Sequence, residues 1–271
     1  MRELPACPVP LIMVDPADVV QSIGVEEVTS LAAGLVVARG HNPPGQEAAT
    51  VGVLADACRL RGLDPIIDEV LPGRPNLRAV LDGGQGPGLL LLGHSDVVPP
   101  GDDWTMDPYG GLVRDNRLHG RGAADMKGGL AACVVALGAL DRAGIELSGP
   151  VELAVTVDEE DHALGIRRYL DSGDRGDFLG CVVAEPTDLQ PIIAARGDAY
   201  LKITIIGRAA HAGNPDDGLN AVYGAIRVVE ELRAWHAELA AAAHPLVGPA
   251  TVSVGRIDGG IGPSIVPGSA R

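Results

Sequence analysis

Six histidine and carboxylate residues stand at the ends of apolar segments, where they could bind metal ions and move protons. These residues are His94, Asp96, Asp125, Glu159, Glu160 and Glu185. One imidazole with several carboxylates is a ligand set that suits Zn²⁺, Co²⁺ or Mn²⁺. The set is also large enough for two metals that share a bridging carboxylate and activate a water molecule. Whether these residues meet in space depends on the elements that carry them.

His94 and Asp96 follow a short apolar run, residues 89–92, which is bounded by glycines and prolines. Such a run predicts a strand that is buried on both faces. Side chains two residues apart on a strand point to the same side, and open α/β sheets bind ligands at the carboxyl ends of their strands. His94 could therefore bind a metal through one ring nitrogen while Asp96 holds the other. The alternative is a strand end with two solvated polar residues, which the three-residue pattern taken alone favours.

Asp125 lies in a glycine-rich loop, residues 120–129, before a helix of small residues predicted over 130–142. The loop superficially resembles a dinucleotide-binding turn, but Asp125 replaces the third glycine and no strand leads directly into it, so we reject that reading. A carboxylate before a buried helix is costly unless it is paired or bound to a cation. The alternative is that Asp125 caps the helix.

Four consecutive carboxylates, residues 158–161, follow an alternating segment that predicts a strand over 151–157. Glu159 and Glu160 should point to opposite sides, so one could face a metal and the other a water. Close carboxylates repel, which raises a pKa unless a cation relieves the repulsion. The alternative is a solvated acidic turn. Glu185 likewise follows an apolar strand predicted over 178–184.

Composition narrows the classes of partner and compartment. The chain has 271 residues, 46% of them hydrophobic, and a formal net charge of -15, which argues against nucleic-acid and anionic-membrane partners. No apolar run reaches membrane length and no signal peptide is evident at the N-terminus. The four cysteines form no Cys-x-x-Cys pair, and Cys133 and Cys181 are predicted to be buried thiols. These features favour the cytoplasm.

The order of elements predicts an α/β fold in which a mostly parallel sheet carries helices on both faces. Helices are predicted over 25–37, 48–61 and 130–142, and further strands over 65–71 and 77–82. After residue 197 the pattern changes to a strand over 200–207, a helix over 220–242 and a strand over 250–257. We therefore predict an N-terminal extension (1–24), a metal-binding catalytic domain (25–196) and a second, incomplete α/β sandwich domain (197–271).

Five ordered motifs resemble those of the M20 metallopeptidase family, over residues 25 to 271. They are GHSDVVP (93–99), GRGAADMKG (120–128), DEE (158–160), EPT (185–187) and GRAAHAG (207–213). The family includes acetylornithine deacetylases, succinyl-diaminopimelate desuccinylases, aminoacylases and carboxypeptidases. The resemblance implies a metal-dependent hydrolase of N-acyl amino acids or small peptides. It also implies two divalent ions, Zn²⁺ before Co²⁺ or Mn²⁺, and a homodimer formed through the second domain, a lid, if that domain is complete.

The same resemblance implies a role for each site residue. His94 and Glu185 would bind the first metal, Glu160 the second, and Asp125 would bridge the two. Asp96 would orient His94, and Glu159 would be the general base. His211 would reach a neighbouring subunit's active site from the lid domain, where the alternative is an ordinary loop histidine. Arg121, Arg196 and Arg208 are possible clamps for a substrate carboxylate or, equally, surface arginines.

The sequence departs from the family pattern in two places. The family's last metal-binding histidine has no counterpart here, because His41, His119, His162, His236 and His244 lie outside that motif. Ser264 stands where the family usually has asparagine. We therefore expect a fragment or truncated product with a weakened second metal site, and the alternative function is an inactive metal-binding or dimerisation protein.

Overall fold

The computed structural model describes residues 15–173 and 176–271, and the chain forms two compact units, Met1–Leu189 and Gln190–Arg271. The division lies a few residues before the domain boundary predicted at residue 196. Residues 1–14, most of the predicted extension, lie outside the described residues. The rest of it is not a loose segment, because Pro16–Gln21 forms a short helix that begins after Asp15, whose side chain accepts the Ala17 N–H at 2.8 Å.

The helices and strands follow in chain order. The helices are α1 (Pro16–Gln21), α2 (Val25–Val37), α3 (Ala48–Arg59), α4 (Gly128–Arg142), α5 (Leu164–Asp171) and α6 (Ala221–Leu239). The strands of the first unit are β1 (Ile66–Leu71), β2 (Arg74–Leu81), β3 (Gly88–His94), β4 (Leu112–Arg114), β5 (Arg117–His119), β6 (Val151–Thr156) and β7 (Phe178–Val183). Those of the second are β8 (Ile205–Ile206), β9 (Ala210–His211), β10 (Ile265–Val266) and β11 (Ser269–Ala270).

A five-stranded sheet in the order β1-β2-β6-β3-β7 forms the centre of the first unit. Strands β6, β3 and β7 are parallel, whereas β2 is antiparallel to β6 and β1 to β2. Helices cover both faces, α2 to α4 on one side and α5 on the other. The predicted α/β fold class is therefore confirmed. Because β3, β6 and β7 run the same way, the residues that follow them meet at one edge of the sheet.

Two apolar cores hold these layers together. The larger packs α2, α3 and α4 against the sheet, and the smaller packs Tyr169 of α5 against the opposite face. Leu90 contributes to the small core and Leu91 packs on the large one, so β3 contacts both, as predicted, although Leu89 at its beginning stays 36% exposed. Helix α4 and the turn before it, Ala123–Arg142, are long and apolar enough to span a membrane. Half of the most apolar stretch of this segment, however, is buried inside the unit.

The cysteines differ in burial between the core and the edge strand of the sheet. Cys58 and Cys133 are buried free thiols, as expected for Cys133. The prediction that Cys181 is buried is wrong, because β7 is the edge strand of the sheet and most of its residues are exposed.

The second unit is built around α6, close to its predicted bounds. The alternating segment at 200–207 is a strand only at Ile205–Ile206, which pairs with β11. The strand predicted at 250–257 is wrong, since these residues pair in no ladder. A strand requires a partner backbone, which apolar alternation does not supply. These two segments and one side of α6 line an apolar groove of about 560 Å³.

Candidate metal centre

His94 is the point on which the predicted site residues converge. It ends β3, is 2% exposed, and its Nε2 lies 3.1 Å from Asp125 Oδ1 and 3.5 Å from Glu185 Oε1. Glu159 Oε2 is 4.0 Å from the same nitrogen. His94, Asp125 and Glu160 also offer ligand atoms that all lie within 4.8 Å of one another. The structure thus brings together, at one sheet edge, side chains that are far apart in sequence.

The other nitrogen of the His94 ring fixes its orientation. Nδ1 lies 2.9 Å from the backbone oxygen of Asp96 and 3.6 Å from the Asp96 carboxylate. Since a carbonyl oxygen only accepts, Nδ1 carries the hydrogen and Nε2 is left to bind a metal. Asp96 therefore contacts His94, but through its main chain more closely than through the carboxylate that the sequence suggested.

Asp125 lies on a distorted turn that is anchored on both sides. The turn spans Ala123–Lys127, and Asp125 itself has non-helical φ and ψ angles of -114° and 98°. Helix α4 begins after it with no side-chain cap, so the capping role considered for Asp125 is not observed. Met126 Sδ accepts the His94 N–H at 3.1 Å, and the buried Lys127 amine donates to the carbonyl oxygens of Leu35 and Arg39.

A glycine allows Glu185 to approach this turn. A Cβ at Gly129 would lie 2.1 Å from the backbone oxygen of Ala184, so only glycine permits the beginning of α4 to contact the end of β7. Glu185, the next residue, is thereby held beside Asp125 and His94.

The clustered carboxylates of the site would be stabilised by a bound cation. Burial, together with the carboxylates of Glu185, Asp96 and Asp125, raises the pKa of Glu159 against the opposing effect of His94. Burial and the Asp125 charge likewise raise the pKa of Glu160. Burial lowers the pKa of His94, but hydrogen bonds to Asp125, Asp96 and Glu185 outweigh it and raise that pKa to about 12. Without a metal the carboxylates thus keep a proton on His94, and a divalent ion bound by the same oxygens would replace that proton.

Asn42 and Glu47, which are buried, and the partly buried Arg74 connect to this site, and the sequence does not identify them as part of it. Asn42 donates to Asp96, and Arg74 to Glu47 and Asp158. No pattern in the segment 42–47 or around Arg74 points to the site. A second possible metal group, Asp158, Asp161 and His162, includes the Asp158 that Asn42 and Arg74 already bind.

The remaining predicted residues have other contacts. His211 is exposed in β9 of the second unit, and its Nδ1 accepts the Gly213 N–H at 3.0 Å, beside the Ala212 N–H that donates to Ser264. Arg196 and Arg208 donate to the backbone oxygens of Pro249 and Asp217. Arg121 lies over the Trp104 ring, 5.5 Å from its centre. These contacts are those of loop-stabilising arginines.

Comparison with known proteins identifies the family. Residues 90–256 match the description Peptidase family M20/M25/M40. The chain is 39% identical over 201 residues to a succinyl-diaminopimelate desuccinylase of Methylobacterium radiotolerans, covering 69% of this chain and 51% of that protein. It is 41% identical over 152 residues to an acetylornithine deacetylase of Photorhabdus laumondii, covering 55% of this chain and 38% of that one. The chain spans about half the length of such curated relatives.

The structural comparison agrees. An M20 family metallo-carboxypeptidase of Sulfolobus solfataricus superposes with a TM-score of 0.63 at 16% identity, covering 90% of this chain and 69% of that one. Human carnosine dipeptidase 1 gives a TM-score of 0.62 at 16% identity, covering 94% and 70%. At this level of identity the likeness concerns the fold. With the family match over residues 90–256, it follows that the chain belongs to peptidase family M20/M25/M40.

Proposed function

We propose that these residues form the metal-binding part of a hydrolase that cleaves the amide bond of an N-acyl amino acid or a small peptide. The observation that supports this most is the convergence of His94 Nε2 with the carboxylates of Asp125, Glu185 and Glu160. Glu159, a further carboxylate 4.0 Å from that nitrogen, is available for proton transfer. The desuccinylase and deacetylase relatives support the substrate class.

In the proposed site, His94, Asp125 and Glu185 hold one divalent ion, and Asp125 and Glu160 hold a second. Zn²⁺ is the first choice for this ligand set, with Co²⁺ or Mn²⁺ as alternatives. Such ions supply a Lewis acid for the amide carbonyl and lower the pKa of bound water. The backbone oxygen of Asp96 keeps the hydrogen on His94 Nδ1, so that Nε2 remains free to act as a ligand.

Glu159 is the proposed general base. Its carboxylate is 53% exposed and lies 4.0 Å from His94 Nε2, so it is placed to take a proton from water and return it. Water adds to the amide carbon while Glu159 accepts its proton. The C–N bond then breaks, and Glu159 delivers that proton to the leaving nitrogen, which releases a free amine and a carboxylic acid that loses its remaining proton to solvent.

We further propose a cytoplasmic protein that dimerises through its second unit, with His211 reaching the partner's active site. This role for His211 follows the family resemblance, and its exposed position on β9 is compatible with it.

One observation favours a second candidate, a metal-binding protein without hydrolytic activity. Within the described residues, the cluster at the sheet edge contains a single histidine, His94, and the second ion would have only Asp125 and Glu160 as ligands. Two carboxylates hold a borderline metal more weakly than a set that includes imidazole.

The experiment that tests both candidates combines metal counting with two amidase assays. The chain is loaded with Zn²⁺ or Co²⁺, its metal content is measured, and release of amine is followed from N-succinyl-diaminopimelate and N-acetyl-ornithine. We expect bound metal that His94→Ala removes, and hydrolysis of one of the two substrates. Bound metal without hydrolysis of either would favour the second candidate, and unchanged metal content in His94→Ala would refute the ligand assignment.

A further inference from the structure

A largely buried chain of polar side chains lies behind the candidate metal centre, and of its members only Asp96 has a role in the chemistry proposed above. Its members are Glu47, Arg74, Asp158, Asn42 and Asp96, in the order in which they contact one another. Glu47 and Asp96 are completely buried, Asp158 and Asn42 nearly so, and the Arg74 side chain is 12% exposed. Groups buried this deeply are costly unless every charge and donor is matched.

Each link in this chain is a direct hydrogen bond. Arg74 donates through Nε to both carboxylate oxygens of Glu47, at 3.1 and 3.0 Å, and through one terminal nitrogen to Asp158 Oδ1 at 2.8 Å. Asn42 Nδ2 has two hydrogens and uses them on different carboxylates, Asp158 at 2.9 Å and Asp96 at 3.1 Å. One neutral amide therefore separates two buried negative charges.

The chain ends on the backbone that carries the proposed base and a proposed metal ligand. Asp96 accepts the backbone N–H groups of Glu159 at 3.1 Å and Glu160 at 3.2 Å. Asp158 accepts those of His162 at 3.2 Å and Leu164 at 3.4 Å. Two carboxylates thus hold four amides of a single loop.

The side chain of Glu159 has no comparably firm support. Its carboxylate is 53% exposed and lies 4.0 Å from His94 Nε2, beyond hydrogen-bond distance. Its position is therefore set mainly through its backbone, and the backbone is held by Asp96.

The turn at residues 42–47 packs against the beginning of β2. Gly45 has a positive φ of 90° in this turn, and a Cβ there would lie 2.3 Å from Arg74 Nε. The guanidinium group consequently lies against the turn that supplies both Asn42 and Glu47.

We infer that Asn42 and Arg74 are positioning residues that hold Asp96 and Asp158, and through them the backbone of Glu159 and Glu160. The catalytic meaning of this inference rests on the proposed function, whereas the ordering of the loop does not. Exchanging the Asn42 amide for a carboxylate removes both donors and places a third negative charge between two others. Exchanging Arg74 for lysine keeps the charge but loses the fork that bonds Glu47 and Asp158 together.

The test is residue-resolved amide hydrogen exchange on the full metal-free chain, comparing wild type with Asn42→Asp and Arg74→Lys. Arg78→Lys is the matched control, because Arg78 lies on the same strand and forms a similar part-buried ion pair, with Glu152 at 2.8 Å. We expect the amides of Glu159 and Glu160 to exchange about tenfold faster in both variants, and within about threefold of wild type in the control. The amides of β6 report whether each variant is folded.

Unchanged exchange at Glu159 and Glu160 in a folded Asn42→Asp or Arg74→Lys chain would overturn the inference. If Asn42→Asp does not fold, the milder Arg74→Lys decides alone. In an active metal-loaded enzyme we expect kcat to fall about tenfold or more with KM within about threefold, since the base is displaced and substrate contacts are kept. Faster loop exchange in a protein that hydrolyses nothing would support the positioning role while refuting the proposed function.

Discussion

Similar apolar sequence patterns differ in strand pairing and burial between the two compact units. In the first, alternating and apolar segments such as Val151–Thr156 pair on both sides and are wholly buried. In the second, the alternating segments near 200 and 254 line an open groove and are unpaired apart from Ile205–Ile206, and Leu201 is 77% exposed. Apolar alternation therefore indicates which residues could form a sheet, whereas the available partner strands decide which of them do.

The same contrast applies to polar residues. The polar groups around the metal centre of the first unit are bound to one another across many residues, as in the bond between Asn42 and Asp158. The polar groups singled out in the second unit, His211 and Arg208, make short-range contacts with their own loops. We therefore expect substitutions in the first unit to have much larger effects on stability and on the proposed activity than substitutions in the second.

The largest expected effect is on catalysis. Glu159→Gln keeps the size of the side chain and removes the proposed base, so we expect kcat to fall about 10²–10⁴-fold with metal content unchanged. His211→Ala in the second unit is the comparison and should cost less than this. Steady-state kinetics with metal analysis measure both. A fall below about tenfold for Glu159→Gln would assign the base to another residue.

The sequence predicts the site residues that follow apolar strands and misses those that do not. His94, Glu160 and Glu185 each stand where an apolar strand stops, and parallel strands bring such ends together. Arg74 precedes its partner Asp158 by 84 residues and begins a strand at the antiparallel side of the sheet, so no local pattern links the two. The exposure of Cys181 and the unpaired segment at 250–257 were mispredicted because strand order and pairing are tertiary properties.

The next effect is on stability. Leu153 is completely buried in β6, so Leu153→Ala should lower the free energy of unfolding by about 2–5 kcal/mol, from lost burial and the cavity left behind. The chain has two tryptophans, Trp104 in the first unit and Trp235 in the second, and a Trp235→Phe background lets fluorescence follow the first unit alone. A loss under about 1 kcal/mol would show that β6 is not the core strand of this unit.

Metal affinity should depend strongly on pH. The surrounding carboxylates raise the pKa of His94 to about 12, so at neutral pH the metal-free protein keeps a proton on Nε2 that binding must displace. The metal dissociation constant should therefore fall about tenfold for each unit of pH increase, and continue to fall above pH 7. Co²⁺ titrations monitored by absorbance at several pH values between about 6 and 8 measure this dependence. An affinity that levels off above pH 7 would mean that His94 titrates near its ordinary pKa of about 6.5.

The smallest expected effect is in the second unit, where Leu201→Ala is the counterpart of Leu153→Ala. Leu201 lines the open groove and is already 77% exposed, so truncation removes little buried surface and should change the free energy of unfolding by less than about 0.5 kcal/mol. A Trp104→Phe background isolates the signal of Trp235 on α6. A cost of about 2 kcal/mol or more would mean that Leu201 is packed in solution. The groove would then be closed, and the two units would differ in strand pairing alone and not in burial.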